Sequence, residues 1–364
     1  MSQYKLLTPG PLTTTETVKA QMLEDRCTWD VDYKSLTQSI RQKLLTIGMT
    51  DPSKYTTVLQ QGSGSFVVES VLQTALSDDD HILIISNGAY GERMVKMAQV
   101  MKKSVTPVYL EYNEIPNINE LREIINSDTS ITHIAFVHCE TTTGILNPIE
   151  EICEIATQKN LQVIVDAMSS FGGVPINIQA LDIDYLISSA NKCIQGVPGF
   201  GFVIAKRTSL ELCEGNASSV SLDLYDQWKN MDIDGKWRFT SPTHAVGAFR
   251  QAISELEEEG GVEQRYQRYQ GNNTYIINEM KKIGFEPYVK STVQSPIITT
   301  FLYPNESFEF KAFYEYMKQR DFVLYPGKLM ETPSFRIGNI GDLHRNDFEL
   351  MIKLIKQYRI MRGE

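Results

Sequence analysis

The sequence predicts an α/β fold, with a mainly parallel sheet in a large domain and a smaller α+β domain towards the C-terminus. Three observations carry that expectation. The chain has 364 residues, more than a single hydrophobic core supports, so two domains are expected. Short β-rich runs alternate with helical stretches, the order of an α/β layer structure. The runs 82–85, 134–137 and 163–165 are apolar at every position, the pattern of strands covered on both faces.

Taken in order, residues 81–86 read as a strand and 91–103 as the helix after it. A strand over 131–137 leads to a helix over 148–159. Pro148 suits its first turn, and Ile149, Ile152, Cys153, Ile155 and Ala156 make one apolar face. Strands follow at 161–165 and 184–189. The Gly- and Pro-rich loop after Ser189 is too short for a parallel crossover, which needs a dozen or more residues. The run 201–205 should therefore pair antiparallel or lie at an edge. An amphipathic helix over 245–259 ends at Gly260-Gly261 in the manner of a C-cap. Beyond it, helices over 262–283, 309–319 and 347–358 mix with strands over 297–303 and 335–337. The expected division is a large domain over 16–258 and a small one over 259–364.

Composition excludes several classes of function. Hydrophobic content of 42% with 22% charged residues is that of a globular protein and too apolar for disorder. Mean hydropathy is −0.24 and no run approaches the roughly 18–20 apolar residues that cross a bilayer. The start, Met1-Ser2-Gln3-Tyr4-Lys5, lacks the basic region and apolar core of a signal peptide, so a cytoplasmic protein without a membrane partner is expected. A net charge of −10 argues against a nucleic-acid surface. Cys27, Cys139, Cys153, Cys193 and Cys213 form an odd set without a C-x-x-C pair. They read as reduced thiols, and the scattered histidines add no metal site.

Four features could carry chemistry. Gln61-Gly62-Ser63-Gly64-Ser65 opens a helical stretch over 66–75, presenting N–H groups and hydroxyls at a positive helix end, which suits a phosphate. The plain alternative is a turn with Ser65 as N-cap. Neither a Walker loop nor a dinucleotide fingerprint is complete. Asp166 closes an apolar strand at the edge where α/β sheets bind ligands, or else caps the next turn. Lys192, in Asn191-Lys192-Cys193 beyond the following strand, would point into the same cleft, against the ordinary reading of a solvated surface lysine. Arg336 lies inside a short apolar strand and should face an anion, either a ligand or a structural acid. Together they suit pyridoxal phosphate. The lysine forms a Schiff base, the aspartate keeps the pyridine nitrogen protonated, the cradle anchors the phosphate and the arginine binds the acid group of a substrate.

These residues and several longer motifs resemble the class V family of fold-type I pyridoxal-phosphate aminotransferases. The resemblance runs nearly end to end: Leu7-Thr8-Pro9-Gly10-Pro11-Leu12, Thr28-Trp29-Asp30, the Gly62–Ser65 turn and Asn87-Gly88-Ala89-Tyr90-Gly91-Glu92-Arg93. It continues through residues 140–144, Val165-Asp166, Asn191-Lys192, Phe239-Thr240-Ser241-Pro242-Thr243-His244, Tyr325-Pro326-Gly327-Lys328 and Phe335-Arg336-Ile337-Gly338-Asn339-Ile340-Gly341. It implies that Lys192 holds the cofactor and shuttles the proton, and that Asp166 pairs with the pyridinium. Tyr90 would stack on the ring and Thr141 would bond its hydroxyl. Ser63, Gly64, Ser65 and Asn191 would bind the phosphate, with Thr240 reaching in from the other subunit of an obligate homodimer. Arg336 would bind substrate, and residues 1–15 would lie over the active site. The implied reaction passes the amino group of 2-aminoethylphosphonate to pyruvate, giving phosphonoacetaldehyde and alanine.

The stretch Asp25-Arg26-Cys27-Thr28-Trp29-Asp30-Val31 departs from the family pattern at Arg26 and Val31. Arg26 either adds charge for a phosphonate or is a plain surface side chain. Rival readings are a serine- or alanine-glyoxylate aminotransferase of the same family, which features near Arg26 and Lys328 would separate, and a cysteine desulfurase. The last needs a mobile cysteine, and neither Cys139 nor Cys213 sits in an evident flexible loop. A non-catalytic protein of the same fold would have no need for both Lys192 and Asp166.

Overall fold

The computed structural model describes residues 4–329 and 332–363. Met1, Ser2 and Gln3 of the N-terminal segment, on which the signal-peptide reading partly rests, and residues 330, 331 and 364 of the C-terminal region lie outside the described residues. The centre of the molecule is a seven-stranded sheet in the order Tyr55–Gln61, Phe200–Lys206, Tyr185–Ser189, Gln162–Asp166, His133–Val137, His81–Ser86, Ser104–Tyr109. The last five strands of that order pair in parallel. Phe200–Lys206 alone runs against the rest, antiparallel to both of its neighbours. It is an interior strand and not an edge, because Tyr55–Gln61 covers its outer side.

Strand and helix limits follow the apolar pattern. His81–Ser86 and Tyr185–Ser189 coincide with the apolar runs or fall within a residue of them, the helix Ile149–Gln158 lies within the stretch expected, and Ala89–Val100 starts two residues and ends three residues ahead of the expected 91–103. Pro148 occupies the N-cap of the second, just ahead of its first turn. Two strands of this sheet escaped the pattern. Tyr55–Gln61 carries Thr56, Thr57, Gln60 and Gln61 among its apolar residues, and its buried threonines find partners inside: Thr56 Oγ1 accepts from Arg41 Nη2 over 2.9 Å and Thr57 Oγ1 donates to the Arg41 carbonyl over 3.1 Å. Ser104–Tyr109 is half-exposed and contains Pro107, which a strand tolerates at a sheet edge where one row of N–H groups has no partner to serve.

The main apolar cluster joins this sheet to the helices Val31–Ile47, Gly64–Ala75, Ala89–Val100, Ile149–Gln158 and Thr243–Glu258. A second cluster, Phe-rich, is formed by Ile276, Phe285, Phe301, Phe313, Phe335 and Tyr358 among others, around the antiparallel sheet Ile298–Leu302, Ser334–Gly338, Tyr325–Pro326. Leu7 belongs to this second cluster, because Lys5–Leu6 pairs in parallel with Phe322–Val323. A small third cluster, including Leu12, Cys193, Tyr269 and Ile340, ties the two together.

Gly201 shows how closely helix and sheet approach beside the Gly62–Ser65 turn. A Cβ there would stand 2.6 Å from Val67 Cγ2 and 2.7 Å from the Ser188 carbonyl oxygen. Gly201→Ala is expected to cost about 1–3 kcal/mol through overpacking. The urea midpoint should fall at unchanged slope, and a midpoint equal to that of the parent chain would contradict this packing.

Candidate active site

The sheet brings two reactive side chains to one edge. Gln162–Asp166 and Tyr185–Ser189 run in parallel with Asp166 opposite Ile187, so both chains leave the sheet on the same side. The first ends on Asp166 itself. The second continues through Ala190 and Asn191 to Lys192. That loop is held by Ala190, whose N–H donates to the Phe200 carbonyl over 3.1 Å, and whose carbonyl accepts from Gly196 over 2.9 Å. Asp166 and Lys192 line the same cavity, of about 540 Å³, with Gly62, Ser63, Gly64, Ser65, Tyr90, Arg93 and Asn191.

Burial shifts both groups towards their neutral forms. Desolvation pushes the Asp166 carboxyl up to about 6, against the Met168 N–H that donates to it over 2.9 Å. Among the described residues Asp166 forms no ion pair. Burial also lowers Lys192 below the usual lysine value, although Tyr90, Cys193 and Asp166 draw it back, which favours the neutral, nucleophilic amine. Its Nζ donates to the Pro9 carbonyl over 2.9 Å. The N-terminal segment reaches this position through Gly10, at φ +114°, where a Cβ would stand 2.7 Å from Lys192 Cδ and 2.8 Å from the Asn191 oxygen.

The Gly-Ser turn forms the start of the Gly64–Ala75 helix. Ser63, not Ser65, is its N-cap residue, and no side chain caps the first-turn N–H groups. Gly62 takes φ +116° and donates to the Gly199 carbonyl over 3.1 Å, which fixes the turn. Ser65 Oγ accepts from Arg93 Nη1 over 3.0 Å. Tyr90 is placed by a buried carboxylate: Glu140 accepts from the N–H groups of Tyr90, Gly91 and Thr142 over 3.1, 3.3 and 2.9 Å, capping the Ala89–Val100 helix. Burial pushes the Tyr90 hydroxyl up, but the neighbouring Lys328 and Lys192, with hydrogen bonds from Lys328 and Thr141, outweigh it and leave the group below the ordinary tyrosine value.

Of the residues expected from sequence, Ser63, Gly64, Ser65, Tyr90, Asp166, Asn191 and Lys192 share the cavity wall. Thr141 and Arg336 sit behind it: Arg336, 1% exposed, donates Nη1 to the Thr141 carbonyl over 2.8 Å and Nε to that of Pro326 over 3.0 Å. No structural acid pairs with Arg336 among the described residues. Thr240 is exposed, just ahead of the Thr243–Glu258 helix, and does not line the cavity. Arg26 is not brought there either. It donates to the carbonyls of Gln21 and Glu24 and pairs with the Glu24 carboxylate, lying against Gly247. Arg93 was missed in the sequence, although it follows Tyr90 by three residues and so shares its helix face. Cys139 touches the cavity, but burial pushes its thiol up to about 12, and Cys213 to about 11, which disfavours at both the thiolate a desulfurase needs.

Pyridoxal phosphate fits these groups. A phosphate matches the uncapped helix N-terminus with its serines and Arg93. A pyridinium matches a buried carboxylate that has no cation of its own.

The aminotransferase class-V family model matches residues 28–347. A 2-aminoethylphosphonate–pyruvate transaminase of Lysinibacillus sphaericus is 58% identical over 100% of this chain and 99% of its own. One of Bacillus cytotoxicus is 54% identical over 97% of each chain. Among solved structures, pyridoxamine-pyruvate aminotransferase from Mesorhizobium loti superposes with a TM-score of 0.91 at 19% identity, covering 100% of this chain and 94% of that one. Alanine–glyoxylate aminotransferase from Nostoc sp. does so with 0.90 at 24%, covering 98% and 95%. At these identities the two structures speak for the fold alone.

The raised Asp166 has a consequence for stability. Its proton is held more tightly in the folded than in the unfolded chain, so stability falls as pH rises from the ordinary carboxylate range to about 6 and stays reduced above that. In cofactor-free protein, Asp166→Asn should therefore stabilise the fold at pH 8 by about 1–3 kcal/mol and by little near pH 4. Denaturant unfolding at the two pH values checks this, and an equal effect at both would contradict it.

Proposed function

The chain belongs to the aminotransferase class-V family, and we propose that it moves the amino group of 2-aminoethylphosphonate to pyruvate, giving phosphonoacetaldehyde and L-alanine. The observation that carries the chemistry is the meeting of the Lys192 amine, the buried Asp166 carboxylate and the Ser63–Ser65 turn in one cavity. The substrates are supported by relatives of that name, 54–58% identical over nearly the whole chain. Pyridoxal phosphate is the cofactor, and when bound it supplies an electron sink for the charge left as a substrate carbon loses its proton.

The residues divide the work by position. Ser63, Gly64 and Ser65 hold the phosphate with their N–H groups and hydroxyls, Arg93 steadies Ser65, and Asn191 adds a further donor. Asp166 keeps the proton on the pyridine nitrogen, and its buried carboxyl gains the cation it lacks. Tyr90, fixed through its N–H by Glu140, would orient the ring by its aromatic face, and Thr141 beside it would bond the ring hydroxyl. Lys192 would hold the cofactor through Nζ, and its amine, once released, would be the base placed to move the proton of the substrate carbon. Arg336 receives the acid group of the substrate. The reaction runs in two halves at one site, the aldehyde leaving before the keto acid enters.

Of the N-terminal segment, residues 4–15 serve as a cover over the site, supported by the Pro9 carbonyl on Lys192, and the small domain begins at residue 259. The working form is a homodimer in which Thr240 of one subunit completes the phosphate site of the other. The exposure of Thr240, Phe239, Trp29 and Leu23 supports a covered face in this region. No helix among the described residues is long and apolar enough to cross a membrane. The cytoplasm is the compartment where such a reaction meets pyruvate, and it makes phosphonate nitrogen, carbon and phosphorus available.

The test is a spectral titration of the yellow protein with 2-aminoethylphosphonate and no keto acid. The yellow band should disappear with one equivalent of amine and return on adding pyruvate. A protein that ignores 2-aminoethylphosphonate but answers serine or alanine would contradict the assignment and point to the glyoxylate branch of the family.

A further inference from the structure

Three cations surround Tyr90, and none of them meets a carboxylate among the described residues. Lys328 Nζ donates to the Tyr90 hydroxyl over 3.2 Å and lies 4.3 Å from the ring centre. Arg93 lies 5.0 Å from the same centre and is tied to Ser65, so it belongs to the phosphate cradle. Arg336 bonds only carbonyl oxygens, and its guanidinium lies 4.7 Å from the Tyr325 ring. The acid that acts on Arg336, Glu140, is already occupied by the N–H groups of Tyr90, Gly91 and Thr142. Arg336 is therefore a buried positive group with neutral partners, an arrangement that is costly until an anion arrives, and the half-buried Lys328 likewise meets no carboxylate among the described residues.

Their spacing is fixed by backbone. The Tyr325–Pro326 strand pairs with Ser334–Gly338, with Tyr325 opposite Arg336. Gly327 donates to the Ser334 carbonyl over 3.1 Å, and a Cβ on it would stand 2.4 Å from that oxygen. Lys328 follows directly, so the lysine and the arginine are anchored to the same strand pair. A carboxylate carries one charge and matches one planar guanidinium. A phosphonate dianion carries a second charge and a third oxygen, for which the compact ammonium of a lysine is a suitable donor.

Building on the donor assigned above, we propose that Lys328 is the specificity-determining residue that favours a phosphonate over a carboxylate. Its ammonium takes the second charge of the phosphonate while Arg336 takes the first. Pyruvate and alanine, with one charge, engage Arg336 alone.

The probes are ethylphosphonate and propionate, unreactive acids of like length, titrated calorimetrically into the cofactor-loaded enzyme. Lys328→Gln is expected to weaken ethylphosphonate roughly ten- to hundredfold, the loss of one charge-assisted hydrogen bond, and propionate by a few fold at most. Lys328→Arg keeps the charge and should recover most of the ethylphosphonate affinity. Equal losses for both acids in Lys328→Gln would show that Lys328 merely props Tyr90, and would overturn the proposal, as would no loss or no recovery by arginine. Wild-type enzyme that binds ethylphosphonate in a Lys328-dependent way yet does not react with 2-aminoethylphosphonate would overturn the reaction and leave this role standing. Wild-type enzyme that binds no phosphonate would overturn both.

Discussion

Parallel pairing of Gln162–Asp166 with Tyr185–Ser189 is the constraint on which the rest of the site depends. Parallel strands deliver their C-terminal ends to one edge, so a carboxylate closing the first and a lysine just past the second must meet there. Burial then does the chemical tuning without further residues. The same low-dielectric surroundings raise Asp166 and lower Lys192, each towards its neutral form. A pyridinium reverses the first effect by supplying the missing cation, which is why this carboxylate is a liability in the empty fold and an asset in the loaded one.

The remaining parts converge on that edge from three directions. The Gly64–Ala75 helix brings its N-terminus through the turn at Gly62, and Ala89–Val100 brings Tyr90 and Arg93 on one helical face. The third approach comes from the antiparallel sheet of the C-terminal region, which carries Arg336 and Lys328. The N-terminal segment joins the regions: it pairs with Phe322–Val323, receives the Gly338 N–H on the Leu7 carbonyl over 3.0 Å, and then crosses Lys192 at Pro9 and Gly10. A shift of the small sheet would therefore reach Lys192 through the N-terminal segment.

Much of this was legible in the residues, and the exceptions have physical reasons. Apolar runs and strand-end polar residues located Asp166 and Lys192 because buried parallel strands have little choice of composition. Tyr55–Gln61 was invisible because polar residues interrupt its apolar run, its threonines being bonded within the fold, and Ser104–Tyr109 because an edge strand can carry a proline. Arg93 stood in a quoted motif, but the spacing that sets it beside Tyr90 has meaning only once the helix is known to face the cavity. The neutral surroundings of Lys328 and Arg336 depend on contacts between residues far apart in the chain, such as Arg336 with Thr141, which no periodicity reports. Conversely Arg26, conspicuous as a departure from the family pattern, is occupied by Gln21 and Glu24 beside it.

The central claim is that the sheet edge assigns the cofactor to Lys192. Borohydride reduction of the yellow protein, followed by digestion and mass spectrometry, tests it most directly, since reduction fixes the cofactor to its lysine. The account predicts a single pyridoxyl-bearing peptide, modified at Lys192. Modification at Lys328 or another lysine, or none at all in a protein that was yellow before reduction, would contradict it.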